Sequence, residues 1–193
     1  MKVIDILNNT DKAVFSFELV PPLKGGDINK IYEAIEPLIA LAPPFINITF
    51  HRDEVVYREY PDGTIKKVTV TKRPGSVALA AAIMRRYNVD MVPHIVCGGA
   101  TRHKIENELI DLNFLDIENV MALRGDPIPG ERFFTPEEGG HQYSCELVEQ
   151  ITRMNHGQYL DDTLTDAVPT NFCIGVAGYP EKHYEAPNQA CDI

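Results

Sequence analysis

Phe45-Ile46-Asn47-Ile48-Thr49-Phe50 is the stretch on which the reading of the fold turns. Its β-branched and aromatic residues read as a strand, and it follows almost directly on Pro43-Pro44, which close a helical segment. In that segment Asp27 stands at an N-cap position before Ile28, Ile31, Ile35, Leu38 and Ile39, whose spacing draws one apolar stripe along a helix. Before it, Ala13-Val14-Phe15-Ser16-Phe17 reads as a first strand, running into Glu18-Leu19-Val20-Pro21-Pro22. Strand, helix, strand opens an alternating α/β pattern.

The pattern continues downstream with one irregularity. Val55 to Tyr60 and Thr64 to Thr71 flank Pro61-Asp62-Gly63, and Asp-Gly between β-prone runs signals a hairpin, here a polar β-ribbon inserted after strand 2. Ser76 is positioned to cap a helix through Val77, Leu79, Ala80, Ile83 and Met84, followed by a third strand over Val89 to Val96. Thr101 can cap a helix carrying Ile105, Leu109, Ile110 and Leu112, and Ile117 to Leu123 supplies a fourth strand. A Gly/Pro-rich loop, a helix from Cys145 to about His156 and a fifth strand from Asn171 to Ala177 complete the reading. Neither a fixed repeat nor an interdomain linker stands out, so residues 1–193 are expected to form a single domain.

Five βα-like units predict a parallel α/β protein, either a (β/α)8 barrel or an open sheet. A complete eight-stranded barrel takes about 200 to 250 residues. With five strands in 193 residues, the expected architecture is a (β/α)8 TIM-barrel type that is incomplete. An open barrel fragment exposes a strand edge and an apolar interior, so a homo-oligomer or a partner chain is expected to cover them.

Composition bounds the function. Hydrophobic residues at 44% and charged residues at 24% describe a folded globular chain. A net charge of −10 and a pI near 5.0 argue against broad nucleic-acid binding, while leaving room for a local basic pocket that holds a phosphate. Cys97, Cys145, Cys173 and Cys191 are widely spaced without a CxxC pair, which favours reduced thiols over a disulfide or zinc framework. The first residues, MKVIDILNNTDK, lack the apolar stretch of a signal peptide, and no run approaches ~18 apolar residues. A cytoplasmic protein without membrane association is the expectation.

In a parallel α/β fold the carboxyl ends of the strands meet on one face, so Glu18, Thr49, His94, Arg124-Gly125-Asp126 and Tyr179 can share a cleft. A carboxyl group in a partly desolvated site favours its neutral form and can serve proton transfer. Each residue also has a plainer reading. Glu18 can cap a loop or pair with Arg124, His94 can be a hydrogen-bonded structural histidine, and Thr49 can satisfy its strand neighbours. Arg124-Gly125-Asp126 can be a turn, Tyr143 and Tyr179 packing aromatics, and His183 a solvated loop residue. HExxH, paired-Cys, G-x-S-x-G, P-loop and GxGxxG motifs are all missing, and no metal site is expected.

Taken in order, Phe17-Glu18-Leu19-Val20-Pro21-Pro22, Asn47-Ile48-Thr49-Phe50, Pro93-His94-Ile95-Val96-Cys97, Ala122-Leu123-Arg124-Gly125-Asp126 and Ala177-Gly178-Tyr179-Pro180-Glu181 resemble the methylenetetrahydrofolate reductase family across nearly the whole chain. The resemblance implies a flavoprotein barrel in which FAD takes hydride from NADH or NADPH and passes it to 5,10-methylenetetrahydrofolate, giving 5-methyltetrahydrofolate. It implies Glu18 as the acid that opens the folate five-membered ring, and Asp126 as an anion near flavin and folate. It also implies flavin contacts from Thr49, His94, Arg124, Gly125, Asp126, Tyr143, Ser144, Tyr179, His183 and Ala186. The alternative is a noncatalytic flavin- or folate-binding module, or a subunit whose barrel a partner completes. Phe50-His51-Arg52-Asp53 and the ribbon depart from the Tyr-Gly-Ala-Asn-like loop of bacterial relatives, which points to altered nicotinamide or folate access. His183-Tyr184-Glu185-Ala186 departs from the family's His-Pro-Glu-Ala, and the later phosphate-contacting and Gln-bearing segments have no counterpart in this sequence.

Overall fold

The computed structural model describes residues 1–128, 130–178, 181–182, 186 and 188. Five strands form one parallel sheet: β1 (Phe17–Leu19), β2 (Phe45–Ile48), β5 (Asp90–Val96), β6 (Asn119–Leu123) and β7 (Cys173–Val176), in that spatial order. The antiparallel pair β3 (Glu54–Glu59) and β4 (Ile65–Val70) forms a separate hairpin between β2 and the next helix. Asp62 closes its turn by accepting hydrogen bonds from the Thr64 amide at 3.0 Å and hydroxyl at 2.6 Å.

Side chains alternate across each strand, so register decides what each face carries. Ile46 and Ile48 of β2, Met91 and Ile95 of β5, and Val120 and Ala122 of β6 are buried on one face. They join a single core with Ile35 of α2 (Ile28–Ile39), Ile83 of α3 (Ser76–Tyr87), Leu109 of α4 (Arg102–Phe114) and Ile151 of α5 (Ser144–Met154). Each Ile, Leu, Val or Met side chain among them contributes about 1.5–3 kcal/mol on full burial. The opposite face carries Glu18 level with Asn47 and Val92, and His94 level with Met121 and Gly175.

The six-residue helix α1 (Val3–Asn8) sits at the amino ends of the strands. Asn119, the first residue of β6, accepts from the Val3 amide at 2.8 Å and donates to the Met1 carbonyl at 2.9 Å. The terminal ammonium donates to Asp90, the first residue of β5, at 2.7 Å. The carboxyl ends of the strands lie at the opposite end of the sheet.

Several local expectations are corrected. The first strand is Phe17–Leu19 rather than Ala13–Phe17, because pairing begins only where β2 offers Ile46 to Ile48; Phe15 is 75% exposed. Ser76 is not the cap of α3: Gly75 holds that position, and the buried Ser76 hydroxyl reaches Glu108 on α4 at 3.4 Å. The helix before β2 ends ahead of Pro43-Pro44, through Ala42 at φ 51, and tolerates Pro37 internally. Asp27 and Thr101 do cap α2 and α4, accepting from the amides of Asn29 and Lys104. Cys97, Cys145 and Cys173 are free thiols; Cys191 lies outside the described residues. Among the described residues no helix is long and apolar enough to cross a membrane.

Candidate active site

Glu18 stands on the open face of β1 with its carboxylate 3.9 Å from Nε2 of His94, two strands away. Its side chain is 58% exposed, whereas that of His94 is 8% exposed. Burial holds the His94 imidazole below the usual histidine range, and the nearby Glu18 carboxylate opposes that shift without cancelling it. The ring is therefore neutral near pH 7, and at 3.9 Å the contact is neither a hydrogen bond nor an ion pair. Among the described residues, His94 Nε2 is buried without a hydrogen-bond partner.

Asn47 lies between them. It pairs in register with Glu18, faces the same side, and its Oδ1 is also buried without a partner among the described residues. Two unpartnered polar atoms on one sheet face are costly unless something satisfies them. The sequence reading missed Asn47 as a site residue. The available signal was a lone amide in the apolar run Phe45–Ile48.

At the rim above these groups, the Thr49 amide and hydroxyl both donate to the Leu19 carbonyl, at 3.0 Å and 3.3 Å, stitching the ends of β1 and β2 together. The plainer reading of Thr49 thus holds for its proton, while its oxygen remains able to accept. Cys97 and Gly98 donate from their amides to the Leu123 and Arg124 carbonyls, which carries the β5–β6 ladder past the strand ends. Gly125 follows at φ +86, where a Cβ would lie 2.6 Å from Val96 Cγ1. Only glycine fits there. The Arg124 guanidinium lies 5.4 Å from the centre of the Phe134 ring, and Asp126 is exposed just beyond.

Tyr143 and Ser144 reach the same end through the start of α5. The Tyr143 carbonyl accepts from Cys97 Sγ at 3.7 Å, and Glu146 accepts from the Tyr143 and Gln142 amides at 3.0 Å and 2.6 Å. Those amides hold the Glu146 carboxyl below its ordinary range, making it a capping group. Burial raises the Cys97 thiol to about 11, so it is not a nucleophile at neutral pH. The Ala186 carbonyl accepts from the Lys182 amine at 2.6 Å. Tyr179 and His183 fall outside the described residues. The structure therefore gathers Glu18, Thr49, His94, Arg124, Gly125 and Asp126 at the carboxyl ends of four adjacent strands, with Tyr143 and Ser144 behind β5.

Comparison with known proteins bears on what such a rim does. Residues 2–193 match the family profile described as methylenetetrahydrofolate reductase. Methylenetetrahydrofolate reductase (NADH) 1 of Arabidopsis thaliana is 29% identical over 186 residues, covering 95% of this chain and 26% of that protein. Methylenetetrahydrofolate reductase 2 of Saccharomyces cerevisiae is 28% identical, covering 92% of this chain and 25% of its own length. The 5,10-methylenetetrahydrofolate reductase of Pectobacterium carotovorum subsp. carotovorum is 24% identical, covering 92% of this chain and 47% of its own. The chain thus spans about a quarter of the length of the plant and yeast relatives and about half that of the bacterial one.

Proposed function

The chain belongs to the methylenetetrahydrofolate reductase family, and from that premise we propose that its strand rim serves the reduction of 5,10-methylenetetrahydrofolate to 5-methyltetrahydrofolate at the expense of NADH or NADPH. In this reading the single domain is part of a (β/α)8 barrel, whose interior is the open face of the sheet. The observation that carries it is the position of Glu18: a carboxyl on that face, 3.9 Å from a buried neutral imidazole, with no cation bonded to it among the described residues.

A ligand lying over the face strips water from Glu18, which favours its protonated form. From there Glu18 can give its proton to the folate nitrogen that leaves the methylene carbon, opening the five-membered ring to a cationic iminium. His94, neutral and adjacent, does not lock Glu18 into a permanent ion pair, so the half-exposed carboxyl is free to take its proton back from solvent. Asp126 places a negative charge at the rim, which favours the cation formed on ring opening.

The residues fit a broad, partly apolar ring with a polar edge. Met121, Leu123 and Val96 line the face half-buried, and the unpartnered Asn47 Oδ1 and His94 Nε2 are acceptor or donor groups aimed at no protein partner. FAD, when bound, supplies the hydride relay between the nicotinamide donor and the methylene carbon. Thr49, His94, Arg124, Gly125, Asp126, Tyr143 and Ser144 would hold it from this chain, with Tyr179, His183 and Ala186 proposed from the family resemblance alone.

The test is to add FAD to the purified protein, follow its absorbance under anaerobic conditions on adding NADH or NADPH, and then add methylenetetrahydrofolate. Bleaching by the nicotinamide and recovery by the folate are expected; no FAD binding refutes the reading. The edges of β1 and β7 favour a second reading, in which another copy or chain covers the sheet. Val176 on β7 is 58% exposed. Light scattering that gives a monomer would count against it.

A further inference from the structure

Arg52 belongs to the loop between β2 and β3 and lies across the rim. Its stem packs on the turn after β5: a Cβ on Gly99 would lie 3.2 Å from Arg52 Cβ, and one on Gly98 would lie 3.5 Å from Arg52 Nη1. The same Gly98 position is 3.4 Å from the Phe134 ring and 3.7 Å from the Arg124 carbonyl. Two glycines therefore make the seat in which the arginine rests, and Gly99 at φ +77 is a position that other residues rarely adopt.

The guanidinium has no hydrogen bond or ion pair among the described residues. A half-buried guanidinium, with five donors in a planar fork, is a poor choice for mere packing and a good one for a bidentate oxyanion. Charges of both signs stand around it. Lys104 donates to the Gly99 carbonyl at 3.3 Å, Arg124 lies over Phe134, and Arg73 donates to the Pro21 carbonyl at the end of β1. Asp53 and Glu54 follow Arg52 in sequence, Glu54 already paired with Lys72, and Asp126 lies two residues past Arg124. In a chain of net charge −10, a seated guanidinium without a carboxylate bonded to it among the described residues is suited to an incoming anion.

We propose that Arg52, seated on the Gly98-Gly99 turn, is a phosphate-contacting residue that binds the phosphates of a dinucleotide at the rim of the site. This rests on the reductase reading for the identity of the dinucleotide, which is the nicotinamide donor or the flavin. A planar fork meets a phosphate through two oxygens, and the Lys104 amine stands at the same Gly98-Gly99 turn.

Titration calorimetry tests it without turnover, using NADH, NADPH, FAD, inorganic pyrophosphate and methylenetetrahydrofolate on wild type, Arg52→Gln, Arg52→Lys and the ribbon control Arg58→Gln. Arg52→Gln is expected to weaken at least one dinucleotide about tenfold, with Arg52→Lys in between and Arg58→Gln unchanged. Loss confined to NADH and NADPH, or to FAD, supports the proposal and names the source of the phosphate. Weakening of the folate alone, or of no ligand, overturns it. If dinucleotide binding depends on Arg52 while the folate is never reduced, the reductase reading fails and the phosphate contact stands.

Discussion

Glu18 and His94 face each other across two strands at 3.9 Å, with the imidazole buried and neutral and the carboxylate open to whatever covers the sheet. The pair separates two tasks that one ionised salt bridge could not combine, since a firmly paired carboxylate gives up its availability as an acid. On the proposed reductase reading, Glu18→Gln should leave flavin reduction by NADH within about twofold of wild type while lowering folate reduction by about 10²–10⁴-fold, the usual range for a positioned general acid. Stopped-flow measurement of the two half-reactions checks this. Equal folate turnover in the variant would remove Glu18 from the mechanism.

The same histidine sets a pH dependence of stability. Its folded pKa lies below the unfolded value of 6.5, mainly through burial, so the unfolded chain takes up the proton first as pH falls. Stability should therefore be level in this term above about pH 6.5 and decline below it, until the folded imidazole also protonates. His51 has the same sign, from burial and then the neighbouring Arg73 charge. His94→Gln should flatten the decline between about pH 6.5 and 5, read from urea midpoints. An unchanged slope would place His94 in solvent.

Much of the scaffold was legible because it depends on local chemistry. Asp27 and Thr101 cap the helices they precede, and the Asp62-Gly63 turn makes its hairpin, each through contacts within three residues. What stayed hidden depends on partners distant in sequence. The helix Val3–Asn8 is too short to stand on propensity and is held by Asp90 and Asn119. The start of β1 is set by what β2 offers, and Ser76 is drawn inward by Glu108. Asn47 and Arg52 become site candidates only through register with Glu18 and a seat on Gly98-Gly99.

Gly125 offers a test of how the rim holds its charge. At φ +86 and with Val96 Cγ1 only 2.6 Å from a new Cβ, Gly125→Ala must strain its backbone and also push the β5 rim. Gly63→Ala at φ +77, with nothing within 4 Å, carries the backbone strain alone. We expect a loss of about 1 kcal/mol at Gly63 and about 2–3 kcal/mol at Gly125, by chemical denaturation. On the proposed flavin reading, Gly125→Ala should in addition weaken FAD binding, since Arg124 and Asp126 flank it. Equal losses at the two sites would mean that the rim relaxes around the methyl group.

Glu108 supplies the opposite sign to His94. It lies between α4 and α3, where burial raises its carboxyl pKa, while the Ser76 hydroxyl at 3.4 Å and Lys104 pull the other way. A folded pKa above the unfolded 4.5 means that the protonated form is favoured on folding. This contribution is full below about pH 4.5 and is lost as pH rises through the folded value. Above that folded value the wild type buries an ionised carboxylate, whereas Glu108→Gln keeps a group that Ser76 can hydrogen-bond and removes the buried charge. The variant should therefore gain in melting temperature over wild type as pH rises through the folded value, and the difference should shrink toward about pH 4. A variant that loses ground to wild type as pH rises would show that the ionised carboxylate is held by Lys104 strongly enough to offset its desolvation.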